Sequence, residues 1–314
     1  MARIKLSSLN GHFTSNYAVG KYLGGGADGK VYKAKCKATG TVYAAKIIVR
    51  RTQGSRPHEA HINSLLKRDP KFQHHIVKFS WCFGAVGPKM PVVLVFEHCE
   101  LGTLEAYITS KWGKFFQAKN VVPLEITLRV WVQLLHALKF LHEPAKGSGR
   151  GPIVHRDIKP WNIVVTKSPH GHPLPHVKLC DFGGALEATS TNIRGRKPQR
   201  PGGLAAFTRG FAPPELGWPP KAKAYESAKP AYDVYSLGAT IYWIIRRITP
   251  PTDTNIIAPR GPVSKEDYCE QFWKVLKGAL QKKSRSRWSK KKLLNGLKEG
   301  WVTIDSSRLK VVEI

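Results

Sequence analysis

The sequence has no long hydrophobic run. Its longest apolar run, residues 92–96, is far too short to cross a bilayer, and the first fifteen residues lack the continuous apolar stretch of a signal peptide. Internal repeats and extended low-complexity tracts are absent as well. We therefore expect a soluble protein inside the cell, in the cytoplasm, the nucleus or both.

Cysteine is scarce and unpatterned. The 314 residues contain an odd number of cysteines, without the C-x-x-C spacing of many zinc sites: Cys36, Cys82, Cys99, Cys180 and Cys269. This distribution argues against a disulfide framework and a zinc site, and it favours a reducing compartment. With 42% hydrophobic residues, a chain of this length can bury a substantial core, and one bilobal unit fits better than three small domains.

Acidic residues are few, with 21 Asp and Glu against 51 Lys and Arg, so the formal net charge is +30. Such a surface attracts polyanions, and the candidate partners are nucleic acid, ribonucleoprotein, acidic lipid and acidic protein substrates. The densest cluster contains seven basic residues: Lys282, Lys283, Arg285, Arg287, Lys290, Lys291 and Lys292. It is either a nuclear-localisation or nucleic-acid patch, or a solvated loop in which Arg287 is structural, and the sequence leaves both open.

Residues 153–164 contain a tight polar turn between two apolar stretches. Within it, His155-Arg156-Asp157 and Asn162 have the spacing H-R-D-x-x-x-x-N. This spacing places the Asp157 carboxylate where it can accept the proton of a substrate hydroxyl. It also places the Asn162 amide oxygen where it can bind Mg²⁺.

A short apolar strand ends at Asp181-Phe182-Gly183, nineteen residues after Asn162 (181 − 162). The tripeptide alone occurs by chance in unrelated chains, where it forms an ordinary β-turn. Its order and its strand context here predict a second metal ligand, Asp181.

A glycine-rich string with Gly24, Gly26 and Gly29 precedes an alternating strand that contains Lys46. Glycines let backbone amides approach phosphate oxygens, and Lys46 offers a positive charge to the α- and β-phosphates. A dinucleotide-binding fold would continue into a helix, whereas residues 31–33 keep β-branched and aromatic character. The strand context therefore argues against a nicotinamide cofactor.

In these motifs and their order, the chain resembles the eukaryotic-type protein kinases from about residue 17 to about residue 296. The resemblance implies an α+β, bilobal protein-kinase fold, with a small β-rich N-lobe at about 17–96 and a larger, mainly α-helical C-lobe at about 100–296. Residues 1–16 would be an N-terminal extension and residues 297–314 a C-terminal tail. It also implies ATP and Mg²⁺ as cofactors and a protein substrate, for which the net charge suggests acidic sites.

Helical periodicity supports this organisation. Apolar residues recur along one side of residues 124–142, which predicts the long helix that supports the catalytic turn. Residues 233–246 are apolar nearly all round and predict the buried central helix of the larger lobe. A further helix is expected near residues 57–68.

The resemblance assigns a role to each matching residue in the nucleotide site. Lys46 would bind phosphates and pair with Glu59, while Asn162 and Asp181 would hold the metal. Phe96 would be the gatekeeper beside adenine. The full nucleotide-binding set is Leu23, Gly24, Gly26, Gly29, Val31, Ala44, Lys46, Phe96, Glu97, Cys99 and Val164.

The resemblance also implies serine/threonine specificity. Lys159, two residues after Asp157, is typical of serine/threonine rather than tyrosine kinases. Thr208 lies seven residues before Glu215 (215 − 208), the spacing of a hydroxyl that contacts Asp157 and Lys159, and Arg287 would pair with Glu215. The implied catalytic set is Asp157, Lys159, Lys46, Glu59 and Thr208.

A second basic cluster falls inside the segment that the resemblance identifies as the activation segment, and it comprises Arg194, Arg196, Lys197 and Arg200. These side chains would either pair with a phosphate on one of three nearby hydroxyls or receive acidic residues of a substrate. The three hydroxyl residues are Thr189, Ser190 and Thr191.

Several features depart from the family pattern. Asn63, four residues after Glu59, replaces an apolar residue, and only thirteen residues separate Lys46 from Glu59 (59 − 46). The loops at 143–152 and 166–176 look lengthened, and residues 248–271 are rich in Pro and poor in helical periodicity. Asn63 and residues 248–271 support one alternative, a pseudokinase or scaffold that binds nucleotide and a polyanion without phosphoryl transfer. Another is a small-molecule phosphotransferase or a nucleic-acid-binding protein with the same fold.

Overall fold

The computed structural model describes residues 9–26, 29–48, 58–71, 74–84, 91–115, 117, 120–168, 173–187, 207–218, 220, 229–250 and 268–302. These residues form a small lobe rich in strands and a larger lobe built mainly of helices. The predicted α+β, bilobal fold is confirmed.

The small lobe is a five-stranded antiparallel sheet with one helix beside it. Its elements are β1 (Tyr17–Gly26), β2 (Gly29–Cys36), β3 (Val42–Ile48), α2 (His58–Arg68), β4 (Phe79–Phe83) and β5 (Val92–Glu97). The strand order is β1-β2-β3-β5-β4, and α2, which carries Glu59, packs near β4. Successive side chains of a strand point to opposite faces, and β5 is buried on both faces. Val93 and Val95 belong to one apolar cluster with Ala45 and Ile47, whereas Val92 and Leu94 belong to another.

A short helix, α1 (Gly11–Asn16), precedes the sheet. The Asn10 side chain accepts hydrogen bonds from the backbone amides of His12 and Phe13, which caps the helix. Phe13 is fully buried and stacks on Tyr17, with ring centroids 5.2 Å apart. The described part of the predicted N-terminal extension therefore belongs to the core of the small lobe.

The larger lobe surrounds one buried helix, α5 (Pro230–Arg246), in which every residue from 232 to 245 is buried. Its other helices are α3 (Leu104–Trp112), α4 (Leu124–His142), α6 (Glu270–Ala279) and α7 (Lys290–Val302). The strands are β6 (Ile153–Val154), β7 (Ile163–Thr166), β8 (His176–Leu179) and β9 (Leu186–Glu187). They form two short antiparallel pairs, β6 with β9 and β7 with β8, which carry the motifs at the junction of the lobes.

The long helix α4 has the predicted bounds, whereas α5 begins at Pro230, before the predicted residue 233. Proline is favoured in the first turn of a helix, where its missing N–H is not needed. One prediction is wrong in part, because residues 270 and 271 of the segment 248–271 form the start of α6. Residues 251–267 lie outside the described residues. None of the helices in the described part of the chain combines the length and apolarity needed to cross a membrane.

The lengthened loop at 143–152 contains neither helix nor strand, and a buried ion pair holds it. The Arg150 guanidinium lies 2.8 Å from the Asp69 carboxylate, which directly follows α2, and both side chains are fully buried. Arg150 also donates to the carbonyls of Phe140 and Leu141 at the end of α4. The pair therefore joins the end of α2 to the segment that leads into the catalytic turn.

Candidate active site

The turn after β6 is fixed by a single carboxylate of α5. Asp233, fully buried, accepts hydrogen bonds from the backbone amides of His155 and Arg156 and from the His142 ring, each at 2.8 Å. Burial by itself would raise the pKa of Asp233, but the hydrogen bond from His142 and its other partners lower the pKa below its ordinary value. Arg156 has a left-handed backbone with φ +68°, a strained conformation for a residue with a side chain. The Asp233 carboxylate therefore maintains the turn that presents Asp157.

Asp157 lies at the centre of a compact polar network. Its Oδ2 accepts from Lys159 Nζ at 2.8 Å and from Asn162 Nδ2 at 2.9 Å, and its Oδ1 accepts from Thr208 Oγ1 at 2.6 Å. Lys159 Nζ also donates to Thr208 Oγ1 at 2.8 Å. Four residues that the sequence placed in the site thus meet around one carboxylate, although Thr208 is separated from Asp157 by 51 positions.

The second group joins the two lobes through Lys46 on β3. Its Nζ lies 2.7 Å from Glu59 Oε2 and 2.7 Å from Asp181 Oδ1. Burial by itself would lower the pKa of Lys46, but the two carboxylates raise it above its ordinary value, so the lysine stays charged. Burial likewise acts to raise the pKa of Asp181, and the charge of Lys46 outweighs it and lowers the pKa.

The Asp181 side chain remains 36% exposed, and its backbone is left-handed with φ +65°. The Asn162 side chain donates through Nδ2 to the backbone carbonyl and carboxylate of Asp157. One partly exposed carboxylate and one amide oxygen suit Mg²⁺, which takes one or two protein ligands and completes its shell with phosphate and water. The described residues contain no cluster of three or more His, Cys, Asp or Glu side chains that could hold a metal ion by themselves.

The glycines of the string lie at the paired ends of β1 and β2, where Gly26 is opposite Gly29. A Cβ on Gly29, where φ is +159°, would lie 2.6 Å from the Ile47 carbonyl oxygen, and a Cβ on Gly25 would lie 2.8 Å from the Gly29 oxygen. Among the described residues, and apart from chain neighbours, no atom lies within 4 Å of a Cβ built on Gly24 or Gly26. Gly25 and Gly29 are therefore required by the strand pairing itself, while Gly24 and Gly26 leave space for the approach of a phosphate.

The remaining nucleotide-site residues lie on neighbouring strands. Val31 pairs with Lys46, and Ala44 pairs with Phe96, in the ladder of the small lobe. Val164 on β7 forms an isolated bridge with Thr103, on the other side of the junction. Leu23 lies on β1 with its side chain 43% exposed.

The strand β5 ends at Glu97, and the Glu97 side chain forms an ion pair with Lys178. Both of its carboxylate oxygens lie 2.8 Å from Lys178 Nζ, and one also accepts from the Lys78 amide at 2.7 Å. The Glu97 backbone N–H also donates to the Lys78 carbonyl oxygen at 3.0 Å, so neither this N–H nor the side chain is available to a nucleotide base. Burial raises the pKa of Cys99 to about 12, so this thiol stays protonated beside the site.

The buried polar residue of α2 has a local partner. Asn63 is 2% exposed, and its Nδ2 donates to the Glu59 carbonyl oxygen at 2.9 Å. Glu59 nevertheless reaches Lys46, so Asn63 does not displace the predicted ion pair. The activation-segment residues Thr189 to Thr191 and the basic cluster at residues 194–200 lie outside the described residues.

The end of that segment is anchored to the larger lobe. Arg287 Nη1 donates to Glu215 Oε1 at 2.7 Å, its Nη2 contacts Glu215 Oε2, and its guanidinium lies over the Tyr235 ring. Within the basic cluster at 282–292, Arg287 therefore has the structural role that one reading of the sequence gave it.

Sequence reasoning missed the site role of two residues. Asp233 was noted only as part of a helix start, although a carboxylate in an otherwise apolar buried helix was a usable signal. Gly25 was passed over because the spaced pattern of glycines points to its neighbours.

The comparison with known proteins agrees with this geometry. Residues 17–297 match the family described as the protein kinase domain. The chain is 27% identical over 239 residues to the serine/threonine-protein kinase TOS3 of Saccharomyces cerevisiae, covering 74% of this chain and 40% of that protein. It is 26% identical over 268 residues to CBL-interacting serine/threonine-protein kinase 14 of Arabidopsis thaliana, covering 84% and 52%. It is also 28% identical over 306 residues to the cytokinesis protein sepH of Aspergillus terreus, covering 95% and 19%. The chain spans about half the length, or less, of these relatives.

Proposed function

Because the chain belongs to the protein kinase family, we propose that it is an active serine/threonine kinase that uses ATP and Mg²⁺ to phosphorylate proteins. The observation that carries this proposal is the network in which Lys159, Thr208 and Asn162 all contact the Asp157 carboxylate. A carboxylate held in this way is oriented for a substrate hydroxyl before the substrate arrives.

Each residue of the site has a distinct task in this mechanism. Asp157 orients the substrate hydroxyl and accepts its proton, and Lys159 supplies positive charge where negative charge develops on the transferred group. Lys46, fixed by Glu59 and Asp181, presents an ammonium to the nucleotide phosphates. When bound, Mg-ATP supplies the γ-phosphoryl group and the metal charge that neutralises it; Asn162 and Asp181 would hold the metal.

The substrate class is proposed from charge and from the kinase type. Thr208 joined to both Asp157 and Lys159 supports a serine or threonine hydroxyl in a polypeptide as acceptor. The net charge of +30 supports acidic substrates and contacts with polyanions. The same charge, with none of the five cysteines in a disulfide, supports a location in the cytoplasm or nucleus.

The test is transfer of radiolabelled γ-phosphate from Mg-ATP to casein, histone and basic myelin protein, with Asp157→Asn and Asp181→Asn as matched variants. Asp157→Asn places an amide where three donors now meet a carboxylate, so we expect phosphoryl transfer to fall by at least about 10²–10⁴-fold while nucleotide binding stays close to wild type. Asp181→Asn should lose transfer together with metal-dependent nucleotide binding.

Retained transfer in Asp157→Asn would refute the assignment of this carboxylate. If the folded wild-type protein binds ATP but transfers nothing to any acceptor, the pseudokinase alternative is the correct one. A casein-to-histone ratio near one at moderate salt would refute the preference for acidic substrates.

A further inference from the structure

A cleft of about 440 Å³ lies between α6 and α7, on the larger lobe and outside the candidate active site. Side chains of both helices line it, and three of them are lysines, against a single glutamate. Its principal lining residues are Gln271, Lys274, Trp288, Lys291, Lys292 and Glu299. Its volume is in the range of about 300–1,000 Å³ that is usual for small-ligand sites.

The cleft is a built feature of the fold because an indole ring packs against both helices. A Cβ on Gly278 of α6 would lie 2.7 Å from Trp288 Cγ. A Cβ on Gly296 of α7 would lie 2.7 Å from Val275 Cγ2 and 3.3 Å from Trp288 Cζ3. Gly278 therefore makes room for this ring, and Gly296 makes room for Val275 and for the edge of the ring. The Lys292 ammonium lies 4.4 Å from the centroid of the same ring, so a cation–π contact positions one of the lysines.

The cleft carries a net positive charge. Lys274, Lys291 and Lys292 are exposed, and in the described part of the chain no carboxylate lies within 4.0 Å of any of their ammonium groups. Glu299, the acidic residue among the lining residues, accepts a hydrogen bond from Gln271 Nε2 at 3.3 Å. Three lysines and one glutamate leave a net charge of +2 (3 − 1) in this small volume.

The basic cluster of the sequence and this cleft share only Lys291 and Lys292. Arg287 is paired with Glu215, and Lys290 lies 3.2 Å from Glu143, so neither is available to the cleft. Lys274 enters it from α6, outside the sequence cluster. The fold therefore gives Arg287 and Lys290 ion-pair partners and directs Lys291 and Lys292 to the cleft.

We propose that this cleft binds a compact anion that carries several phosphate groups, such as inorganic polyphosphate or a polyphosphorylated small molecule. Lysine ammonium groups are point charges that suit phosphate oxygens, and three of them converge here from two helices. Single-stranded nucleic acid is disfavoured because it needs an open aromatic face for base stacking. The faces of Trp288 are taken by Lys292 and by the two glycine positions.

Calorimetric titration of the full chain with inorganic tripolyphosphate at about 150 mM salt tests the proposal. The test variant is K274Q/K291Q/K292Q, which keeps polar, unbranched side chains only one atom shorter but removes three charges. The matched control, K35Q/K71Q/K111Q, removes three exposed lysines elsewhere. Any binding at Lys46 is common to all three proteins and cancels in the comparison. We expect the test variant to bind tripolyphosphate at least about tenfold more weakly than the control, a difference of about 1.4 kcal/mol.

Equal affinity in the test variant and the control would overturn the proposal. A second titration uses a single-stranded RNA of about 15 nucleotides, a length that spans a typical single-strand binding site. If the three cleft lysines control RNA binding but not tripolyphosphate binding, the site recognises nucleic acid and the proposal is wrong. Loss of tripolyphosphate binding with RNA binding unchanged supports it.

Discussion

Replacing Arg150 by methionine removes the cation from an ion pair whose two side chains are both fully buried. In the wild type, Arg150 donates to the Asp69 carboxylate from Nε at 2.8 Å and to the carbonyls of Leu141 and Phe140 at 3.0 and 2.7 Å. The variant leaves Asp69 with the Ala145 amide at 3.3 Å and one further amide. A buried carboxylate without its cation is therefore the main consequence.

The expected loss of stability is large. Removing one partner of a buried ion pair typically costs about 3–5 kcal/mol because the other charge is left desolvated and unpaired. Domains have total stabilities of only about 5–15 kcal/mol, so this is a substantial fraction. For a domain of this size, about 2–4 °C per kcal/mol gives a fall in Tm of about 6–20 °C.

The assay is thermal and urea unfolding of wild type, Arg150→Met, Asp69→Asn and the double variant. The double variant should lose less stability than the sum of the losses in the two single variants, because it contains no buried charge without a partner. Lys290→Met is the control, because it removes an ion pair with Glu143 at the opposite end of the same loop. The Glu143 side chain is 54% exposed, and exposed pairs of this kind contribute about 0–1 kcal/mol. Additive losses in the double variant, or a loss at Arg150 no larger than at Lys290, would refute the reasoning.

Three further predictions concern the site and the core. Glu59→Gln keeps the shape of the partner of Lys46 but removes its charge, so kcat/KM should fall about 10–100-fold, whereas an unchanged value would show that Asp181 alone positions the lysine. Thr208→Val removes the hydroxyl that donates to Asp157, and peptide kcat should fall about tenfold with ATP affinity unchanged; Thr208→Ser should restore it. Burial, followed by the charge of His176, lowers the pKa of His75 to about 3. His75 therefore binds a proton near pH 6.5 in the unfolded chain but stays neutral in the folded protein at that pH. The free energy of unfolding should fall by about 1 kcal/mol as the pH is lowered from 7.5 to 5.5. His75→Asn should weaken that dependence in urea unfolding at the two pH values, and an unaltered dependence would show that His75 does not titrate in this way.

Much of the fold was predictable because the relevant signals are local. The apolar period of α4 predicted both of its ends, and the spacing of Asp157, Asn162 and Asp181 predicted side chains that the structure brings to one junction. Motifs of this kind encode a turn and its neighbours, so few long-range contacts are needed to interpret them.

The remaining features depend on contacts between residues that are distant in sequence. Arg150 and Asp69 are separated by 81 positions, and neither is part of a local pattern. The same holds for the indole of Trp288, whose two glycine neighbours look like ordinary helix-weakening residues in the sequence. The start of α6 was missed because its first residues follow a long segment rich in proline, which hides the short helical period.

The carboxylate of Asp233 has a consequence for how this protein responds to heat and to exchange with deuterated solvent. The amides of His155 and Arg156 donate into the most enclosed helix of the larger lobe, so they can reach solvent only when that helix separates from the turn. Their hydrogen exchange should therefore proceed near the rate of global unfolding rather than of local fluctuation. The catalytic turn and the larger lobe should therefore unfold at the same temperature. No intermediate temperature should exist at which the lobe is folded and the catalytic turn is not.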